Sequence, residues 1–210
     1  MSTYKNILIL DDHLVVRKGV KLFLNDRFSS YVVYECETFA SSLDLLNRIS
    51  FDLIFLDINI NGIENVKMMK EIKAIQPNIK ILIFSSHEES QYGLRYVENG
   101  ADGFLNKFCS EEKMEVALHQ MFDKGYYYSD VVKDKMSNKT KSKTSSNPLD
   151  LLSNREFEVA KLLVNGEGNL EISNKLDLKM STVSTYKNRI FEKLNVNSVI
   201  SLADVFKENE

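Results

Sequence analysis

Five short apolar runs, each followed by a longer amphipathic stretch, occupy residues 1–125 and restrict what the chain can fold into. The runs are residues 7–10, 31–34, 53–56, 79–84 and 104–105. They show no polar alternation, as expected of strands covered on both faces of a parallel sheet. The stretches between and after them, residues 14–24, 43–49, 66–75, 94–99 and 114–122, carry apolar side chains at helical spacing. A β-α unit repeated five times predicts a doubly wound, flavodoxin-like α/β domain, a five-stranded parallel sheet with helices on both faces.

The pattern stops near residue 125. Residues 126–149 include KDKMSNKTKSKTSSNP, polar and basic with almost no apolar content, and read as a flexible, solvated linker. Residues 150–210 return to helical spacing, broken at Gly166 and Gly168 and again over 177–180, and predict a separate small all-α domain. The apolar run at 7–10 is stopped by Asp11 and Asp12, so neither a signal peptide nor a membrane span is expected, and the chain reads as cytoplasmic. Cys36 and Cys109 lack metal-site spacing and read as free thiols.

In a doubly wound sheet, functional groups gather beyond the carboxyl ends of the strands. Here Asp11 and Asp12 end the first run, Asp57 the third and Ser85 the fourth, and Lys107 follows the fifth. One Asp at a strand end is usually a cap or turn residue. Five such groups at matching ends converge on one edge. The chemistry that needs this set is phosphoryl transfer to a carboxylate. Mg²⁺ takes hard oxygen ligands, a lysine adds a second positive charge, and a carboxylate can be the nucleophile. His13 and His119 read as packing or hydrogen-bonding residues.

These residues resemble a response-regulator receiver domain over nearly all of 1–125. The pattern is the acidic pair Asp11-Asp12, Asp57 within LDINING, Ser85, and Lys107 within GADGFLNK. The resemblance implies that Asp57 accepts phosphate and that Ser85 is the switch hydroxyl. It implies that Asp11, Asp12, Asp57 and the backbone carbonyl of Asn59 hold Mg²⁺. The switch aromatic falls on Phe104, where relatives often carry Tyr. Asn61 and Asn65 stand where the family often has Pro and Gly. Residues two past the acceptor and two past the hydroxyl, Asn59 and His87, are expected to tune dephosphorylation.

The last segment begins with a capping pattern at Ser153. It then shows two helical stretches in tight succession, NLEISNKLDL and STVSTYKNRIFEKL, a helix-turn-helix arrangement. In the second, Val183, Tyr186, Ile190 and Leu194 form a buried stripe. Ser181, Ser184, Thr185, Asn188, Arg189 and Glu192 lie opposite, flanked by Lys187 and Lys193. The whole chain has a net charge of −3, so any DNA contact rests on local placement. Residues 179–193 supply it, with four basic side chains against one acid. Short polar groups that reach base edges, bordered by cations, are the make-up of a recognition helix.

The string resembles the LuxR-type helix-turn-helix of NarL/FixJ response regulators, and TVSTYK followed by EKL is especially like the BvgA/EvgA branch. Gly168 and Leu170 stand where that family often has Ser and Lys. The resemblance implies DNA contacts from Ser181, Thr182, Ser184, Thr185, Lys187, Asn188, Arg189 and Lys193, and a dimerising helix over 199–206. It implies a two-component transcription regulator, with a sensor histidine kinase, double-stranded promoter DNA and a second copy as partners. Its only chemistry would be phosphoryl transfer to, and hydrolysis from, its own Asp57. A stand-alone phosphotransferase would need a general base beyond the acidic cluster, and none is apparent. A helix-turn-helix that binds protein instead is separated by neutralising Lys187 and Arg189.

Overall fold

The computed structural model describes residues 4–28, 30–58, 60, 65–141 and 147–209. The chain divides into two compact units, Met1–Thr140 and Lys141–Glu210. Among the described residues, no helix is long and apolar enough to cross a membrane.

The first unit is the expected α/β fold. Strands β1 (Lys5–Leu10), β2 (Tyr31–Cys36), β3 (Leu53–Leu56), β4 (Lys80–Ser85) and β5 (Gly103–Asn106) pair in parallel, in the order β2-β1-β3-β4-β5. Between them run α1 (Leu14–Arg27), α2 (Phe39–Leu46), α3 (Asn65–Ile75) and α4 (Glu89–Glu98), and α5 (Glu111–Asp123) follows β5. Strand periodicity sorts the buried side chains between two faces. Ile7, Ile9, Leu53, Phe55, Leu82, Phe84 and Leu105 pack with Val20 and Leu24 of α1 and Leu118 and Met121 of α5. The alternate residues Leu8, Leu10, Ile54, Leu56, Ile81 and Ile83 are also buried, and on β5 Phe104 meets Tyr96 of α4 at 6.1 Å between ring centroids. Burial on both faces explains why the strands show no polar alternation. The helix expected over 43–49 lies earlier, because Thr38 caps it by accepting the N–H of Ser41.

Residues 126–141 depart from the solvated linker that their composition suggests. Tyr127 runs parallel to Gly103, and its N–H bonds the carbonyl of Asp102. Helix α6 (Asp130–Lys141) follows. Its Val132 is 2% exposed and sits over Gly93 of α4, where an added Cβ would lie 2.7 Å from Val132 Cγ2. One buried valine in a glycine notch seats the helix. A single apolar residue leaves no periodic signal, so the stretch looks like a tether in the sequence.

The second unit is all helical: a 3-10 turn Pro148–Leu151, then α7 (Asn154–Val164), α8 (Asn169–Lys175), α9 (Met180–Leu194) and α10 (Val199–Asn209). Ser153 and Glu156 form a reciprocal capping box at the start of α7. The breaks fall where expected. Gly166 (φ 86°) ends α7, and Asp177 (φ 48°) turns the chain from α8 into α9. Val159, Ala160, Ile172, Val183, Ile190, Leu202 and Phe206 form the core, in which Phe157 stacks on Phe206 at 5.5 Å.

Candidate functional sites: a carboxylate edge and a recognition helix

Parallel pairing sets the edge of the sheet. The N–H of Asp57 bonds the carbonyl of Leu10 at 2.9 Å, and the N–H of Lys107 bonds the carbonyl of Ser85 at 2.8 Å. Four strand ends are thereby held level, and their side chains meet. Lys107 Nζ lies 2.7 Å from Asp11 Oδ2 and 3.1 Å from Asp57 Oδ2. Asp11 and Asp57 are 1% and 2% exposed, so the ammonium faces two desolvated carboxylates. Burial pushes the Asp57 carboxyl above its ordinary range, Lys107 pulls it back down, and neighbouring Asp11 pushes it up again.

The remaining lone pairs are partly committed. Asp57 Oδ1 accepts the N–H of Ile58 at 2.8 Å, and Asp11 Oδ1 accepts the N–H of His13 at 2.8 Å. Both Oδ2 atoms are buried, and among the described residues the Lys107 ammonium is the only group that compensates them. Asp12 is more open, and His13 Nδ1 bonds it at 2.6 Å and Asp11 at 3.1 Å. Carboxylate oxygens of Asp11, Asp12 and Asp57, with His13, lie within 4.8 Å of one another. Clustered, under-satisfied carboxylate oxygens fit a hard divalent cation.

Ser85 Oγ accepts the N–H of His87 at 3.1 Å. The His87 ring stacks on Tyr92 at 4.7 Å, and its carbonyl accepts from the Asn106 amide at 2.8 Å. Phe104 is buried. Asn59 lies outside the described residues. Sequence reasoning missed Arg17, a buried guanidinium whose Nη1 donates to the Asp11 carbonyl at 2.7 Å, with Glu37 3.6 Å from Nη2. Within a helix of alternating character it reads as a surface cation, and only tertiary packing places it under the acidic pair.

On α9 the expected stripe is in place: Val183, Ile190 and Leu194 are buried and Tyr186 is half-buried. Ser181, Thr185, Asn188 and Arg189 are exposed, and Thr182, Ser184 and Lys187 are partly so. Ser181, Thr182, Thr185, Tyr186 and Arg189 line a shallow polar cleft. Ser184 is shared, since Asn169 of α8 donates to its Oγ at 3.1 Å. Lys193 is exposed. Its ammonium is bonded to Glu156 of α7 at 2.6 Å. Lys179, Lys187 and Arg189 form no ion pair among the described residues.

A doubly wound domain with three acids and a lysine at its carboxyl edge, and a helical unit with a polar recognition helix, define a two-domain regulator. Residues 7–119 match the response regulator receiver domain, and residues 150–206 match the luxR family of bacterial regulatory proteins. The chain belongs to the response regulator family, with a receiver domain and a LuxR-type DNA-binding domain, and that family regulates transcription. The chain is 33% identical over 204 residues to the Fimbriae Z protein of Escherichia coli (strain K12), covering 96% of each. It is 31% identical over 198 residues to the response regulator GacA of Pseudomonas aeruginosa, covering 94% of this chain and 92% of that one. RcsB from Salmonella enterica serovar Typhimurium, solved bound to promoter rprA with phosphomimetic BeF3⁻, shares the fold with a TM-score of 0.63 at 21% identity, covering 97% of this chain and 98% of that one.

Proposed function

We propose that Asp57 accepts a phosphoryl group from a sensor histidine kinase, and that the phosphorylated receiver controls how the second unit binds promoter DNA. The observation that carries this reading is Lys107 bridging two buried carboxylates at the sheet edge. A structural ion pair needs one acid. The second, crowded acid costs stability and is useful only when the edge receives more positive charge and a phosphate. In transfer, a carboxylate oxygen of Asp57 bonds to phosphorus while the phosphorus–nitrogen bond to the kinase histidine breaks. Lys107 faces the transferred oxygens, and the Ser85 hydroxyl, whose oxygen accepts the His87 N–H, donates its own proton to one of them. That inward step vacates space beside Phe104, which changes rotamer and shifts a pre-existing equilibrium.

Asp11, Asp12 and Asp57, with the backbone carbonyl of Asn59, would hold Mg²⁺. When bound, the ion supplies positive charge against the phosphoryl oxygens. Asn59 and His87 set the lifetime of the phosphate through access of the attacking water. The domains run as receiver 1–125, connector 126–149 and DNA-binding 150–210. Ser181, Thr182, Ser184, Thr185, Lys187, Asn188 and Arg189 face the major groove and its phosphates. The active form is a dimer, in line with the RcsB dimers that have been solved on DNA, and it acts in the cytoplasm.

The test is phosphorylation itself. The wild type, incubated with a small phosphoryl donor and Mg²⁺, gains a phosphate on the peptide that holds Asp57, and Asp57→Asn or a chelator abolishes the gain. Undiminished labelling of Asp57→Asn overturns the assignment.

A further inference from the structure

The helical unit holds its cations in two ways. Arg155 Nη1 lies 2.6 Å from Glu158 Oε2, and Nη2 donates to the Leu176 carbonyl at the end of α8, also at 2.6 Å. Lys175 lies 2.6 Å from Glu167, and Lys193 lies 2.6 Å from Glu156. Lys179, Lys187 and Arg189 sit at the N-cap of α9 or along its length and form no ion pair among the described residues, although the Lys187 ammonium lies 5.6 Å from the centroid of the Phe191 ring. Arg155 and Lys193 tie one helix to another, whereas Lys179 and Arg189 are exposed at the start and along the length of α9.

Lys193 is where this division matters most, because α9 carries both kinds. Its partner is not a surface acid. The Glu156 side chain is 5% exposed, and one of its oxygens, Oε2, accepts both the Ser153 N–H at 2.8 Å and the Lys193 ammonium at 2.6 Å. That oxygen therefore closes the capping box of α7 and fastens the last turn of α9 to it. Leu194, one residue on, is buried, and Asn195 ends the helix in the left-handed conformation (φ 52°). A buried carboxylate that gave up its cation would be left uncompensated, at a large cost. The Lys193 side chain is 41% exposed, but the burial of its partner commits its charge to Glu156.

We infer that Lys193 is a positioning residue, which fixes the angle of the recognition helix through Glu156, and that it is not a phosphate contact. This rests on the reading of α9 as the DNA-binding helix, and it removes from that surface one of the four cations the sequence places there. Phosphate contact and positioning predict different salt behaviour. Each phosphate neutralised steepens the fall of log affinity against log salt by about 0.9. A residue that only holds the helix changes affinity equally at every salt concentration.

The experiment measures affinity of the full chain for duplex DNA, enriched from a random pool by the wild type, across a salt series. Lys187→Met serves as the reference contact and flattens the slope by about 0.9 per protomer. Lys193→Met is expected to weaken binding several-fold with the slope unchanged. Glu156→Gln, which keeps the lysine but releases it, is expected to weaken binding as well, and Lys193→Arg, which keeps the pair, to restore it. Thermal melts confine the comparison to folded variants, and Lys193→Arg keeps the test decisive if Lys193→Met unfolds. The inference is overturned if Lys193→Met flattens the slope, if Glu156→Gln tightens binding by freeing the ammonium, or if Lys193→Met changes nothing. A wild type that enriches no DNA refutes the DNA-binding reading instead, which is a separate failure.

Discussion

The two sites of this chain handle charge in opposite ways. At the receiver edge Asp11, Asp57 and Lys107 are packed into a desolvated cluster in which two acids share one ammonium. On α9, Arg189 is exposed and Lys187 partly so, and neither forms an ion pair among the described residues. Charge held out of water interacts strongly and in fixed geometry, which suits a reaction at one atom. Charge left in water interacts weakly with its own protein and stays available to a polyanion. A substitution at the first site should therefore change the protein itself, and one at the second should change only what it binds.

Lys107→Met breaks the comparison most strongly if it is wrong. It leaves Asp11 and Asp57 buried without a cation, and loss of one partner from a buried pair costs about 3–5 kcal/mol. Urea denaturation should show most of that loss, and adding Asp57→Asn to the same chain should recover part of it. An unchanged midpoint would mean that the carboxylates are solvated after all.

Gly93→Ala comes next. The new methyl would lie 2.7 Å from Val132 Cγ2, inside any permitted contact, so the Val132 side chain or α6 as a whole must shift on α4. Overpacking of this kind costs about 1–3 kcal/mol. Amide exchange across α6 should accelerate, and Val132→Ala combined with it should relieve the strain. Equal exchange in wild type and variant would show that the helix is not seated there.

Arg189→Ala sharpens the other side. Stability should stay within about 0.5 kcal/mol, as for surface changes generally. Binding to the preferred duplex should fall by about 1–3 kcal/mol, with discrimination relaxed at the base it reads. Melting curves and competition binding on the same sample separate the two effects.

The smallest effect is a pH dependence of the second unit. Burial alone would raise the Glu156 carboxyl, but the Lys193 ammonium and the Ser153 groups outweigh it and hold it below its ordinary value of 4.5. An acid lowered in the folded state contributes stability above its unfolded value, and that contribution is lost as pH falls through the folded one. The unit should weaken below about pH 4.5, and Glu156→Gln should flatten that part of the profile. A variant profile parallel to the wild type's would remove Glu156 from the account.

Most of the sheet and the acidic edge were legible in the sequence, because parallel strands write unbroken apolar runs and the residues after them fall at one edge by topology. The recognition face was legible for the same kind of reason, since Val183, Ile190 and Leu194 repeat at helical spacing. Three features were not. Arg17, the seat of α6 and the pairing of Lys193 with Glu156 each depend on residues of different elements meeting in space. Arg17 reaches the Asp11 backbone carbonyl and the Glu37 carboxylate 20 residues on, Val132 sits on a glycine 39 residues back, and Lys193 on an acid 37 residues before it. No local pattern records such meetings.

The central claim is that chemistry at the buried cluster governs binding at the exposed helix. Its most direct test is affinity for selected duplex DNA, measured with and without a phosphoryl donor, on wild type and Asp57→Asn. The account predicts that phosphorylation tightens the wild type and leaves Asp57→Asn at the unphosphorylated level. Equal affinity in all four measurements would contradict it.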